Sequence, residues 1–369
     1  MVDTHHQLTL YINDACSKGC SFCFIPDEVK AIDREMSIPM LERLIDEVGA
    51  THFQIQGGEP TEHSQFKEIM HMFARKNVTF HMLSALLFSE SMCDTIIHHI
   101  NAGTCLAIHP NCAELDEVWG KEDKTRIERW KRNYLRIYEA MFKRTSGYYA
   151  FRGDATQWAH NNLSLCYTIP QNLRKNKSKN CVEYLDWLRK QIPDQFHMIR
   201  IGLDLNGTYL LHNYEVGDIL DSIHELAQKA GFGFFMDCQV PHCINRPGEA
   251  RPWHDDQTGM QGCITCTDSK GIEVMPDGSV VHCFQSQGEI GMPNVIPNIF
   301  DFDYAEGDKW PQLRAEHTRR YVETYDKIGA PETCQQCPHF QVDCNGLCMG
   351  CLAQQHDTDK ANKIEVTII

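Results

Sequence analysis

The chain has 369 residues, of which 42% are hydrophobic, enough for one large domain or two ordinary ones with a sizeable core. A net charge of −15, from 35 basic and 50 acidic residues, excludes a general nucleic-acid binder, which needs a basic surface. No stretch is apolar for the roughly 18 residues that a membrane helix requires, and the opening MVDTHHQ carries no basic and apolar leader, so a cytoplasmic protein with reduced cysteines is expected. Eighteen cysteines in such a chain read as metal ligands.

Up to about residue 230, strand-like and helix-like segments alternate. Leu8–Asn13 predicts a strand, and Ser37–Val48 a helix with Ser37 as N-cap and Pro39 in its first turn. A strand at His52–Gln56 precedes a helix at Thr61–Lys76. Val78–Ser84 reads as a strand, and Ser89–Asn101 as a helix ending before Gly103. After a strand at Cys105–Ile108, Lys121 to Arg144 carries nine Lys and Arg, with Ile127, Trp130, Tyr134, Ile137, Tyr138 and Met141 at helical spacing. That helix either packs its apolar face on the body or offers a docking surface to an acidic peptide or cofactor. Leu163–Ile169, Cys181–Gln191, Met198–Leu203 and Asp218–Ala230 continue as strand, helix, strand, helix. Six such units predict an α/β fold, a partial (β/α)6 TIM-like barrel or a doubly wound sheet. From about Cys238 helix periodicity fades and Gly, Pro and Cys become frequent, so 1–230 reads as the core domain and 231–369 as a small cysteine-rich domain held by metal.

Cys16, Cys20 and Cys23 form a C-x₃-C-x₂-C run directly after the first strand. Three thiolates on one loop can hold three corners of a cubane iron–sulfur cluster and leave one iron open to a ligand. Gly57-Gly58-Glu59-Pro60 follows the second strand. Two glycines at a strand end let backbone approach a ligand closely.

The triplet and the Gly-Gly-Glu-Pro turn, one βα unit apart, resemble the radical S-adenosylmethionine superfamily over residues 8 to 230. The resemblance implies a 4Fe–4S cluster on Cys16, Cys20 and Cys23, with S-adenosylmethionine on its open iron. It also implies a methionyl ammonium received by Gly57, Gly58 and Glu59, and adenine approached by Phe22. The product is a 5′-deoxyadenosyl radical. Ser84, Thr168 and Arg200, late in the third, fifth and sixth strands, are candidates for further cofactor contact.

Downstream, Cys266 and Cys283 flank the hairpin signal Asp277-Gly278, and Cys334, Cys337, Cys344, Cys348 and Cys351 follow as C-x₂-C-x₆-C-x₃-C-x₂-C. This resembles the SPASM extension of the same superfamily, which carries two auxiliary 4Fe–4S clusters. By that likeness Cys263, Cys266, Cys283 and Cys348 hold one cluster, and Cys334, Cys337, Cys344 and Cys351 the other. The spacing departs from the family in x₆ for x₅ and in the short step to the last cysteine, and Cys243 competes with Cys263. Cys105 and Cys166 are read as core residues, either of which would serve as a hydrogen donor if it faced the barrel interior.

SPASM likeness implies a net oxidation, most often of a ribosomally made peptide. Phe284, where sulfatase-maturating members place Asp, speaks against that activity. The expectation is an enzyme that crosslinks a peptide through a C–C, C–O or thioether bond, with the peptide held directly or by a separate leader-binding protein. A flavodoxin- or ferredoxin-type reductant is the expected electron source. The alternative is a dehydrogenase or epimerase of a sugar, aminocyclitol or nucleoside.

Overall fold

The computed structural model describes residues 7–20, 23, 30–111, 124–149, 165–169, 187, 190–191, 197–203, 213–236, 251, 272–281, 296–301, 309–328 and 335–336. In chain order these give β1 (Gln7–Tyr11), α1 (Ile38–Asp46), β2 (His52–Gln56), α2 (Phe66–Arg75), β3 (Thr79–Ser84), α3 (Glu90–Ala102), β4 (Cys105–Pro110) and α4 (Lys124–Tyr149). Then follow β5 (Leu165–Ile169), β6 (His197–Leu203), α5 (Asn213–Ala230), β7 (Phe232–Met236), β8 (Ile272–Val274), β9 (Val280–Val281) and α6 (Lys309–Ile328).

Local chemistry sets most boundaries. Ser37 and Ser89 cap α1 and α3 by accepting from the N–H groups of Met40 and Met92. Gly103 ends α3 at φ +83°, a left-handed conformation that suits a residue without Cβ. The helix expected at Thr61–Lys76 is broken: Pro60–Glu62 is a 3-10 turn and α2 begins only at Phe66. The intervening Ser64 is drawn off the helical path by Glu35, whose carboxylate accepts from both its N–H and its hydroxyl.

β4-β3-β2-β1 pair in parallel, as do β5-β6-β7, and a bridge from Asn111 to Cys166 joins the two sets. β8 then pairs in parallel with β1 and antiparallel with β9. The Asp277-Gly278 hairpin is thus part of the main sheet. Its Ile272, Val274 and Val280 share one core with Leu8, Leu10, Phe53, Ile55, Phe80 and Met82, which lie under α1, α2 and α3. α6, where helix periodicity was expected to fade, joins that core through Trp310, Leu313 and Tyr321. Its exposed side is laced by Arg319 to Glu316 and Glu323, and by Arg320 to Glu316. α4 buries Trp130, Tyr134, Ile137, Tyr138 and Met141. Its Arg132 and Arg136 pair with Glu90 and Asp94 of α3, so these two cations of its basic face are neutralised within the fold.

The alternate residues of β2, β3 and β4 face the other side of the sheet and include a row of histidines. His52 and His81 lie 4.4 Å apart between ring centroids, and His81 and His109 5.9 Å. Burial lowers the His52 pKa to about 4, and burial with the neighbouring His71 and His98 does the same to His99 between α2 and α3. An imidazole depressed in the folded state contributes full stability above its unfolded pKa and loses it as pH falls toward the folded value. Taking the protein from about pH 7 to about pH 5, above the main carboxylate range, should therefore cost about 1–2 kcal/mol per group. Urea midpoints measure this, and a midpoint constant across that window would contradict it.

Candidate functional site

β1 and β2 continue to pair past their ends, and this builds the site. Ile12 N–H donates to Gln56 O at 2.8 Å, Gly58 N–H to Asn13 O at 2.7 Å, and Glu59 N–H to Ala15 O at 2.9 Å. The buried Asn13 amide ties both sides by donating to Ala15 O and Glu59 O, each at 3.0 Å. The approach leaves no room for side chains. A Cβ on Gly57 would stand 2.7 Å from Asn13 O, and one on Gly58 2.2 Å from Ala15 O. What the glycines admit here is the backbone leading into the cysteine loop.

Cys16, Cys20 and Cys23 follow at once, all half-buried and none in a disulfide. A turn closes with Cys23 N–H donating to Cys20 O at 3.2 Å, and Gly19 takes φ +64°. Burial pushes the Cys16 thiol up to about 11, opposed by a hydrogen bond from the Lys18 N–H, and the Cys20 thiol up to about 12, with the charges of Cys16 and Cys23 adding to the rise. Without a metal these two are thiols at neutral pH, so metal loading releases protons. No three His, Cys, Asp or Glu among the described residues converge on a single ion. A cubane cluster presents separate irons to separate thiolates, so three cysteines spread along one short loop fit it as a donor set.

Glu59 is buried and held by neutral donors. Its Oε1 accepts from Thr61 Oγ1 at 2.7 Å and Ser84 Oγ at 2.8 Å, and its Oε2 from Ala85 N–H at 2.8 Å. Ser84 Oγ in turn accepts from Leu86 N–H at 3.0 Å, so this hydroxyl joins the exits of β2 and β3. Behind that loop, Asn133 of α4 donates to Leu86 O and Phe88 O.

The hairpin reaches the same place. Asp14, fully buried, accepts from Arg34 N–H at 3.0 Å and from its Nε at 2.8 Å, while Arg34 lies 3.7 Å from Asp277 at the hairpin tip. Tyr11, Met275 and Val281 pack together against Cys23. Burial and then the charge of Asp14 raise the Tyr11 pKa.

The structure therefore brings Cys16, Cys20, Cys23, Gly57, Gly58, Glu59 and Ser84 to one end of the sheet. Thr168 is next to last in β5, as expected, and is in register with Gly202. Arg200 is the middle residue of the adjacent β6 rather than late in it, in register with Cys166. Cys105 lies in the core under the helices, whereas Cys166 is buried outside that cluster. Phe22, Cys243, Cys263, Cys266, Cys283, Cys334, Cys337, Cys344, Cys348 and Cys351 lie outside the described residues. Asn13, Asp14, Arg34 and Glu62 were not anticipated. The polar pair Asn13-Asp14 at the end of an apolar strand was the available signal.

Residues 10–160 match the family model described as the Radical SAM superfamily, a span that includes the cysteine loop and the Gly57–Glu59 turn. Over that span the chain is similar to a radical SAM domain, a family that implies S-adenosylmethionine and a 4Fe–4S cluster. No curated protein matches the sequence. Among solved structures, the fold is similar to Streptococcus suis SuiB bound to precursor peptide SuiA, with TM-score 0.55 and 14% identity over 94% of this chain and 72% of that one. SuiB bound to S-adenosylmethionine gives TM-score 0.56 and 14% identity over 94% and 73%. SuiB itself gives 0.54 and 13% over the same shares. Among the described residues no helix is long and apolar enough to cross a membrane.

Proposed function

We propose that the protein is a radical S-adenosylmethionine oxidoreductase that oxidatively crosslinks a ribosomally made peptide. The observation that carries the reading is the pair of backbone hydrogen bonds that lock Asn13 and Ala15, at the entry to the Cys16–Cys23 loop, onto Gly58 and Glu59. Cys16, Cys20 and Cys23 would hold the cluster. Bound there, a 4Fe–4S cluster with S-adenosylmethionine would supply the power to abstract a hydrogen atom from substrate.

The chain's own residues orient the parts. Asn13 fixes the loop against the Gly57–Glu59 turn. Glu59 Oε2 accepts from Ala85 N–H and keeps acceptor capacity for a cationic group such as the methionyl ammonium. Ser84 and Thr61 hold that carboxylate in place. Thr168, Arg200 and Phe22 are kept as further cofactor contacts. Two auxiliary clusters on the cysteines beyond residue 262 remain part of the proposal.

The peptide substrate is supported by the likeness to SuiB, which has been solved with a precursor peptide. The test is incubation of the reconstituted protein, under reduction and with S-adenosylmethionine, with a short peptide encoded beside its gene. A product lighter by two hydrogen atoms is expected by mass spectrometry. An unchanged peptide, with hydrogen instead taken from a sugar, aminocyclitol or nucleoside, would overturn the peptide reading.

A further inference from the structure

The two residues after Cys16 are gripped by a carboxylate from the turn that follows Glu59. Glu62 Oε2 accepts from Ser17 N–H at 2.8 Å, and its Oε1 from Ser17 Oγ at 2.6 Å and from Lys18 Nζ at 2.5 Å. Lys18 is buried two residues after Cys16, so the charge of its ammonium, held on Glu62, acts with little solvent screening. The same residue's N–H donates to the Cys16 sulfur. One side chain thus sets both the path of the loop and the local charge.

Resting on the radical SAM reading, we infer that Glu62 and Lys18 are a positioning pair for the cluster on Cys16, Cys20 and Cys23. Glu62 orders the Ser17–Lys18 backbone so that its N–H reaches the Cys16 sulfur, and its charge offsets Lys18 beside the cluster. Hydrogen bonds to sulfur and nearby charge are both levers on an iron–sulfur potential. A cation left alone stabilises the reduced, more negative cluster, and an anion left alone destabilises it.

The test uses the full chain, reconstituted anaerobically, with redox titration of the electron paramagnetic resonance signal that responds to S-adenosylmethionine. E62Q should move that midpoint potential up, K18M should move it down, and K18M/E62Q should return toward the parent. E62A, which also frees Ser17, should release iron to a chelator about 10-fold faster. Loss of the cluster from E62Q during reconstitution, with K18M retaining it, would equally uphold Glu62 as the holder of the loop. Parental potentials and iron retention in all variants, or shifts of the same sign in E62Q and K18M, would overturn the inference. A parent protein with no such signal would instead overturn the reading on which it rests.

Discussion

Gly58→Ala is expected to destabilise the protein by about 3 kcal/mol and to strip it of iron at the N-terminal site. The added methyl would meet Ala15 O at 2.2 Å, Ala15 C at 2.6 Å and Asp14 O at 2.6 Å. All three are backbone atoms, so no side chain can swing away. Relief requires the strand exits to part, stretching the Gly58-to-Asn13 and Glu59-to-Ala15 hydrogen bonds that hold the cysteine loop. Gly231→Ala separates this effect from backbone strain. Gly231 has φ +76° but nothing within 4 Å of the place a methyl would take, so its loss should be about 1 kcal/mol with iron unchanged. Urea unfolding and iron analysis of the two variants make the comparison. Equal losses would show that close approach at Gly58 is not what matters.

The second large effect is on chemistry. Joint replacement of Cys16, Cys20 and Cys23 by alanine should abolish S-adenosylmethionine cleavage while leaving a folded protein, because these side chains are only half-buried. If the auxiliary clusters are present, iron should fall from about 12 to about 8 per chain. Cys93→Ala, on the core face of α3, should leave iron unchanged. Cleavage that survived the triple replacement would place the open iron elsewhere.

Much of this was legible in the sequence because its signals are local. Ser37, Ser89 and Gly103 mark helix ends with their own side chains or their lack of one, and Asp277 closes the hairpin by accepting from Ser279 N–H and Oγ. The parallel strands alternate or run apolar, as strands packed beneath helices do. What was missed depends on distant partners. The break before α2 comes from Glu35 reaching Ser64, and nothing near residue 64 announces it. β8 pairs with β1 across most of the chain, so a composition shift near residue 238 said nothing about where the hairpin would dock. The site divides in the same way. The cysteine spacing and Gly57-Gly58-Glu59 stand out as letters, but Glu62 on Ser17 and Arg34 between Asp14 and Asp277 emerge only when the chain closes. Glu59 itself was found for its charge. Its structural work, joining two strand exits through Ser84 and Ala85, was not visible.

The most direct measurement is the product of S-adenosylmethionine under strong reduction. The full chain, reconstituted anaerobically with iron and sulfide, is mixed with dithionite and S-adenosylmethionine, and 5′-deoxyadenosine and methionine are quantified. The account predicts both in equal amounts, dependent on Cys16, Cys20 and Cys23. An intact 4Fe–4S cluster on that loop with no 5′-deoxyadenosine formed would contradict it.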